Sequence, residues 1–167
     1  MEYLILKKEI KTPLGDMLCL ASDKGIMFLE FLDKKNYKEL DYKEKTIENN
    51  MDSKAYSFIE RLEIQLGEYF SGTRREFSLP LVMTGTNFQK NVWEELLKIS
   101  YGKTISYKDE AYNLGNNKAY RAVANANGRN HIAILIPCHR VIASDGSLGG
   151  YSGGLEKKEF LLALEKK

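Results

Sequence analysis

The chain has 167 residues, 43% hydrophobic and 29% charged, with a formal net charge of +2. This is the composition of a globular chain of one domain or two small ones, and no stretch approaches the roughly 20 apolar residues of a membrane span. Two cysteines, Cys19 and Cys138, are too few for a disulfide framework, and two histidines with no CxxC or HxxxH spacing give no zinc motif, so neither metal nor cofactor is expected.

The opening MEYLILKKEI has four apolar residues in a row before charges resume, too short a run for a secretory signal, so an intracellular protein is expected. Charge is uneven along the chain: residues 1–99 carry 15 Lys and Arg against 17 Asp and Glu, and residues 100–167 carry 10 against 6. A polyanion would be better received by the second half.

In chain order, EYLILKKEI, MLCLAS and IMFLEFL read as three strands separated by the turn signals TPLGD and DKG, a small antiparallel meander. Residues 33–54 are charged and read as a surface connection, partly helical. From Ser53 onward, Ala55, Phe58, Ile59, Leu62, Leu66 and Phe70 recur at helical spacing until SGT stops the helix. FSLPLVMTG is extended. At Thr86 and Gln89 a capping box opens a helix whose buried face should carry Phe88, Val92, Trp93, Leu96 and Ile99.

Ser106 and Asp109 repeat the capping pattern, a short helix runs to about Leu114, and Gly115 suits a left-handed C-cap. Asn116 or Asn117 can cap the next helix, KAYRAVANA, which stops at Gly128. Two short helices joined by a glycine-containing turn of three or four residues match a helix-turn-helix. Asp145-Gly146 signals a hairpin with strands on either side, which would make a wing, and LEKKEFLLALEKK closes the chain as an amphipathic helix. The expected fold is α+β, with an N-terminal unit over 1–80 and a C-terminal winged helix-turn-helix unit over 86–167.

Cys138 sits in ILIPCHRVI. A lone cysteine in an apolar strand is usually inert packing, which is the reading for Cys19. Pro137, however, breaks a regular ladder, and His139 and Arg140 are costly to bury, so the alternative is a reactive thiol beside cations. In a regular strand His139 would face away from its neighbour, so the chain must turn at residue 138 or a water must link the two groups. His131 lacks such a context and reads as a surface or satisfied histidine. The small-sided helix bearing Ala119, Ala122, Ala124 and Ala126 around Arg121 is either tightly packed core or a surface that lies close to a nucleic-acid groove. LGGYSGG is either a plain loop or one whose glycines let a ligand approach the backbone.

GTNFQKNVW, GKTISY, NNKAYRAVANANGRN, ILIPCHRVI and GGYSGGLEKKEFLLALE occur in the order and spacing of the O6-alkylguanine-DNA alkyltransferases, which the chain resembles over about residues 86–165. The resemblance implies a ribonuclease-H-like first domain and stoichiometric repair of double-stranded DNA containing O6-alkylguanine. The protein would be a monomer with no cofactor and no membrane partner. It implies that Cys138 takes the alkyl group, that His139 is its base through a water, and that Glu165 orients the histidine. It further implies that Asn130 holds the helix-turn-helix against the cysteine segment and that Tyr107 donates to N3 of the leaving guanine. Arg121, beside Ala122 on the recognition helix, would enter the duplex in place of the flipped nucleotide, and the backbones of Cys138 and Val141, with Tyr151 and Ser152 of the glycine-rich loop, would line the base pocket.

Two departures stand out. Many relatives have prolines just after the asparagine, where this chain reads Asn130-His131-Ile132-Ala133, which predicts a more mobile loop before Cys138. The zinc ligands of some relatives have no match. Competing readings are a lesion-binding protein without repair, a cysteine hydrolase, and a plain winged-helix regulator. Cys138 argues against the first, and turnover or its absence separates the second.

Overall fold

A computed structural model describes residues 5–33 and 52–167, so the expected connection over 33–54 lies almost wholly outside the described residues. Two compact units emerge, Met1–Met83 and Thr84–Lys167.

In the first unit, β1 (Ile5–Ile10), β2 (Met17–Ser22) and β3 (Gly25–Phe31) form an antiparallel sheet in the order β1-β2-β3. Central β2 is buried at every position, and cross-strand partners sort the side chains into two faces. Met17 and Cys19 stand opposite Phe31 and Leu29, while Leu18 and Leu20 stand opposite Glu30 and Phe28. Leu18, Leu20 and Phe28 form one apolar cluster, with half-buried Ile5 and Met27 against it.

Helix α1 (Lys54–Phe70) starts where the Ser53 side chain accepts from the Tyr56 amide. It packs along the sheet with Ala55, Ile59, Leu62, Leu66 and Tyr69 inward. Gln65 on this face holds the extended segment that follows, through Nε2 to Ser78 Oγ and Oε1 from the Ser78 amide, both at 3.0 Å. That segment adds a parallel bridge between Leu81 and Ile26, in which the Ile26 amide donates to Pro80 O (2.9 Å) and the Val82 amide to Ile26 O (2.8 Å).

The second unit is mainly helical. Helices α2 (Asn87–Leu96) and α3 (Tyr107–Asn113) both begin with complete capping boxes, from Thr86 with Gln89 and from Ser106 with Asp109. Helix α4 (Tyr120–Gly128) packs on both, and Trp93 of α2 donates its indole N–H to Ala126 O at 2.9 Å. Strand β4 (Ile105–Ser106) pairs in parallel with β5 (Val141–Ile142), and α5 (Leu155–Glu165) closes the unit. No described helix is long and apolar enough to cross a membrane.

Four local expectations are corrected. Phe88 is 43% exposed, because the cover over Val92, Trp93, Leu96 and Ile99 does not reach the first turn of α2. Neither Asn116 nor Asn117 caps α4, whose N-cap is Ala119 without a side-chain bond; Asn116 Oδ1 instead accepts from the Lys118 amide, closing a local turn. The connection between α3 and α4 is longer than three or four residues and spans 114–119. The Asp145-Gly146 turn forms, with Gly146 at φ +87° and its amide on Ala143 O, but strands do not flank it on both sides. Val141–Ile142 pairs with β4, and beyond the turn the chain bends at Gly149 (φ +71°) toward Tyr107.

Gly25 has φ +149°, and a Cβ there would collide with the carbonyl of Pro80, the group that accepts from Ile26. Gly25→Ala is therefore expected to cost about 2 kcal/mol. The check is the urea midpoint followed by far-UV circular dichroism with hydrogen exchange at the Ile26 amide. An unchanged midpoint and unchanged protection would show that the 80–82 segment yields to the methyl group.

Candidate active site

The apolar run before Cys138 does not form a strand. Residues 132–136 fold into successive tight turns, with the Leu135 amide on Ala133 O (2.8 Å), Ile136 on Ile132 O (3.0 Å) and Cys138 on Ile136 O (2.8 Å). Ile134 lies at φ +71°, a conformation that β-branched residues rarely adopt, and it is almost completely buried. Asn130 holds this segment from its concave side. Its Oδ1 accepts from the Ile132 amide (2.9 Å), and its Nδ2 donates to Ile136 O (2.8 Å) and to the Cys138 sulfur (3.3 Å). Asn130-His131-Ile132-Ala133, without prolines, is thus tied to the cysteine turn by one buried carboxamide.

From Cys138 to Arg140 the chain makes a 3-10 turn, which takes His139 and Arg140 away from the thiol and into the interior. His139 is fully buried, and its Nε2 meets Glu165 Oε2 at 2.6 Å. Burial lowers the imidazole's affinity for a proton below its ordinary range, and the Glu165 contact pulls in the opposite direction. Its Nδ1 is buried with no hydrogen-bond partner in the protein. Arg140 grips the same carboxylate through Nε (2.7 Å to Oε1) and Nη2 (3.3 Å to Oε2), and its Nη1 donates to Ile99 O (2.7 Å). The Gly102 amide adds a longer bond to Oε1.

In front of the thiol lies a cleft of about 290 Å³, at the small end for ligand sites, lined by Tyr107, Ala124, Asn125, Asn127, Gly128, Cys138, Gly150, Tyr151 and Ser152. Tyr107 is the first residue of α3, directly after β4, and β4 pairs with the strand that leaves the cysteine turn. The two-residue parallel pair thereby fixes the phenol relative to the sulfur. Burial first, and the Cys138 charge second, hold the phenol more firmly protonated than usual. Gly149 carries no side chain because a Cβ there would press on the Tyr107 ring, 2.8 Å from Cε2. The glycine-rich loop thus makes room for a tyrosine.

The expected site residues divide into three groups. Tyr107, Cys138, Tyr151 and Ser152 share the cleft; His139, Glu165 and Asn130 stand behind the thiol. Val141 is fully buried and is not in the lining; its carbonyl accepts from Lys158 Nζ (2.6 Å). Arg121 and Ala122 are exposed on the first turn of α4 and are not brought to the cleft; the Arg121 guanidinium lies over the Tyr120 ring. His131 is half-buried with its ring edge-on to Trp93. Among the described residues no three His, Cys, Asp or Glu side chains gather as a metal would require.

In the sequence, Lys158 has no assigned role and Arg140 reads only as a cation beside the thiol, not as a partner of Glu165. Lys158 is fully buried, donates to Val141 O and Gly150 O (3.0 Å), and lies over the Tyr107 ring. Burial pushes its amine down to about 8, while the Cys138 charge favours the ammonium. The signal was present in the spacing: Lys158, Leu161 and Glu165 share the buried face of α5, and two charged residues on a core stripe mark a polar site beneath it.

Comparison with known proteins agrees across the length of the chain. Residues 87–167 match the family model for the 6-O-methylguanine DNA methyltransferase DNA-binding domain, and residues 5–83 match that family's ribonuclease-like domain. The chain is 47% identical to a methylated-DNA–protein-cysteine methyltransferase of Methanosarcina barkeri, with 94% of each chain covered, and 43% identical to the constitutive one of Bacillus subtilis, with 93% and 92% covered. The Mycobacterium tuberculosis OGT crystal structure in complex with DNA superposes with a TM-score of 0.83 at 36% identity, over 96% of this chain and 92% of that one. With both halves matched in order, a thiol in the cleft and an imidazole–carboxylate pair behind it, the chain belongs to the O6-alkylguanine-DNA alkyltransferase family.

Proposed function

We propose that this protein repairs double-stranded DNA by moving an alkyl group from O6 of a flipped-out guanine onto Cys138, once per molecule. The observation that carries the reading is the Cys138 thiol in the wall of a cleft of nucleobase size, backed by the His139–Glu165 pair. O6 is buried in a stacked duplex, so a thiol in the wall of such a cleft can reach it only if the base leaves the stack.

The thiol proton passes through a water to Nδ1 of His139, and the Glu165 carboxylate compensates the imidazolium that forms. The sulfur electron pair attacks the alkyl carbon, the carbon–O6 bond breaks, and its electrons go to the guanine ring. Tyr107, kept protonated by its surroundings, donates to N3 as this charge develops. The Lys158 ammonium beside the tyrosine and the sulfur favours the thiolate before transfer. The product is a dialkyl thioether, whose carbon–sulfur bond proton transfer does not break, so each molecule is consumed.

DNA is held chiefly through phosphates and shape, since a lesion can occur in any sequence. The exposed first turn of α4, with Arg121, is the surface that meets the duplex, and Arg121 swings into the stack only when a nucleotide has left it.

Incubation with duplex DNA containing one O6-methylguanine should add one methylene to the intact mass, confined to the Cys138 peptide and saturating at one equivalent. Cys138→Ser should bind the same DNA without gaining mass. Lesion loss beyond one equivalent would instead mean a turnover enzyme, and bound DNA with both the lesion and the wild-type thiol intact would mean a lesion-binding protein.

Glu165→Gln should slow single-turnover transfer by about 10²-fold, the contribution of a positioned base. It should also lower stability by about 3 kcal/mol, because Arg140 would be left buried without its countercharge. Rapid-quench kinetics and a urea titration separate the two effects; an unaltered rate would remove Glu165 from the relay. Tyr107→Phe should slow transfer by about 10²-fold with DNA affinity unchanged, as expected for a donor used only in the transition state. A loss of affinity with the rate retained would make the tyrosine a binding residue instead.

A further inference from the structure

We infer that Glu110 is kept as a neutral carboxylic acid joined to the Asn127 carboxamide by two hydrogen bonds, and that this pair positions Tyr107 and the α4 wall of the cleft for the reaction. Glu110, on α3, is fully buried, and Asn127, on α4, is 5% exposed. Asn127 Nδ2 donates to Glu110 Oε2 at 2.8 Å. Glu110 Oε1 and Asn127 Oδ1 are both buried without a hydrogen-bond partner in the protein. These two oxygens belong to the two groups that are already joined. Between two acceptors nothing forms, but a proton on Oε1 turns the pair into a cyclic acid–amide dimer in which each oxygen gains its partner from the other.

The surroundings agree with a neutral acid. Among the described residues no Lys, Arg or His pairs with Glu110, and an unpaired buried carboxylate is among the most costly groups in an interior. Burial is the main influence and pushes its carboxyl up to about 7; the Asn127 bond pulls it down, and Glu95, the charge facing it from α2, pushes it further up. Strands β4 and β5 bring no titratable side chain against α3, and α4 carries its titratable residues, Tyr120 and Arg121, in its first turn, away from Asn127. Tyr107 is the remaining partner on α3 itself, where the Glu110 charge disfavours loss of the phenol proton.

The placement gives the pair its purpose. Glu110 lies one helical turn beyond Tyr107, and Asn127 lines the cleft beside Cys138. A dimer of two directed bonds ties the helix that presents the phenol to the helix that supplies Ala124, Asn125, Asn127 and Gly128 to the cleft wall. Glu110 and Asn127 are positioning residues, acting through Tyr107 and the cleft shape.

The rate readout rests on the alkyl-transfer reading, whereas the titration does not. Glu110→Gln supplies the missing hydrogen permanently, and Glu110→Ala removes the pair. The folded-state carboxyl binds its proton more tightly than the unfolded one, whose value is about 4.3. The stabilisation by the acid form is therefore full below that value and declines as pH rises toward about 7.

Glu110→Gln should transfer methyl within about twofold of wild type near pH 6. The ratio of wild-type to Gln rates should then fall by up to roughly tenfold near pH 8, following the protonated fraction of a group centred near 7. Glu110→Ala should be slow at both pH values. A ratio that stays flat, or a Gln variant as slow as Ala, overturns the inference. Should the variants fail to fold, carbon-13 NMR of the wild-type carboxyl decides, and titration in the ordinary glutamate range overturns the proposal. If no form alkylates Cys138, the alkyl-transfer reading fails, and the carboxyl titration still judges the pair.

Discussion

A carboxylate in a protein interior is stable only if donors surround it, and the Glu165 carboxylate gathers its donors from two other parts of the C-terminal unit. His139 and Arg140 come from the 3-10 turn, and the Gly102 amide comes from the turn after α2. Arg140 extends the tie further, since its remaining nitrogen reaches Ile99 O and its guanidinium covers the Tyr101 ring. The last helix, the turn after α2 and the cysteine turn are thus held around one pair of oxygens. A buried ion pair of this kind adds little net stability over apolar packing, but it is demanding about geometry, because each misplaced donor leaves a charge uncompensated. The cost is accepted where geometry matters, one residue from the thiol.

The second constraint is the backbone in front of that turn. Ile134 in the left-handed region is a conformation the chain would leave if it could, and it persists because Asn130 satisfies groups on both sides of it. The same carboxamide donates to the sulfur. Strain, its restraint and the Cys138 sulfur are therefore joined through one side chain, and the thiol is aimed by the contacts that hold the loop shut. Lys158 does the corresponding work on the far side of the cleft, where one ammonium bridges the carbonyls of Val141 and Gly150 and so couples the exit of the cysteine turn to the glycine-rich loop.

Much of this was legible in the sequence where local chemistry decides it. The capping boxes at Thr86 and Ser106, the Gly115 turn and the stripe of α1 follow from side chains within a few residues of each other, and they appear where expected. Long-range partners were harder. The hairpin signal at Asp145-Gly146 gave a correct turn, but whether its flanks pair depends on β4, some forty residues away, which claims Val141 and Ile142 first. Phe88 fits the α2 stripe by spacing alone, and only the extent of the covering helices decides that it is exposed. The apolar run 132–136 has the composition of a buried strand; the asparagine that curls it into turns lies outside the run and has no strand signature. The site residues named from the family pattern needed no geometry, whereas Lys158 and Glu110 could be found only by asking why a charged residue occupies a core position.

The two cysteines show how far environment governs chemistry in one chain. Both are buried and neither forms a disulfide. Cys19 lies in the middle strand of the sheet, where burial and the Glu63 charge push its thiol up to about 12, so at neutral pH it is an apolar filler. Cys138 is scarcely more exposed, at 7%, yet its sulfur accepts from the Asn130 amide, and its charge favours the ammonium form of Lys158. The amide donor and the ammonium both favour negative charge on the sulfur. Residue type and burial therefore do not separate the two cysteines. What separates them is the sign of the field from their neighbours, which β2 leaves to a carboxylate and which the turn at Pro137 hands to donors and a cation.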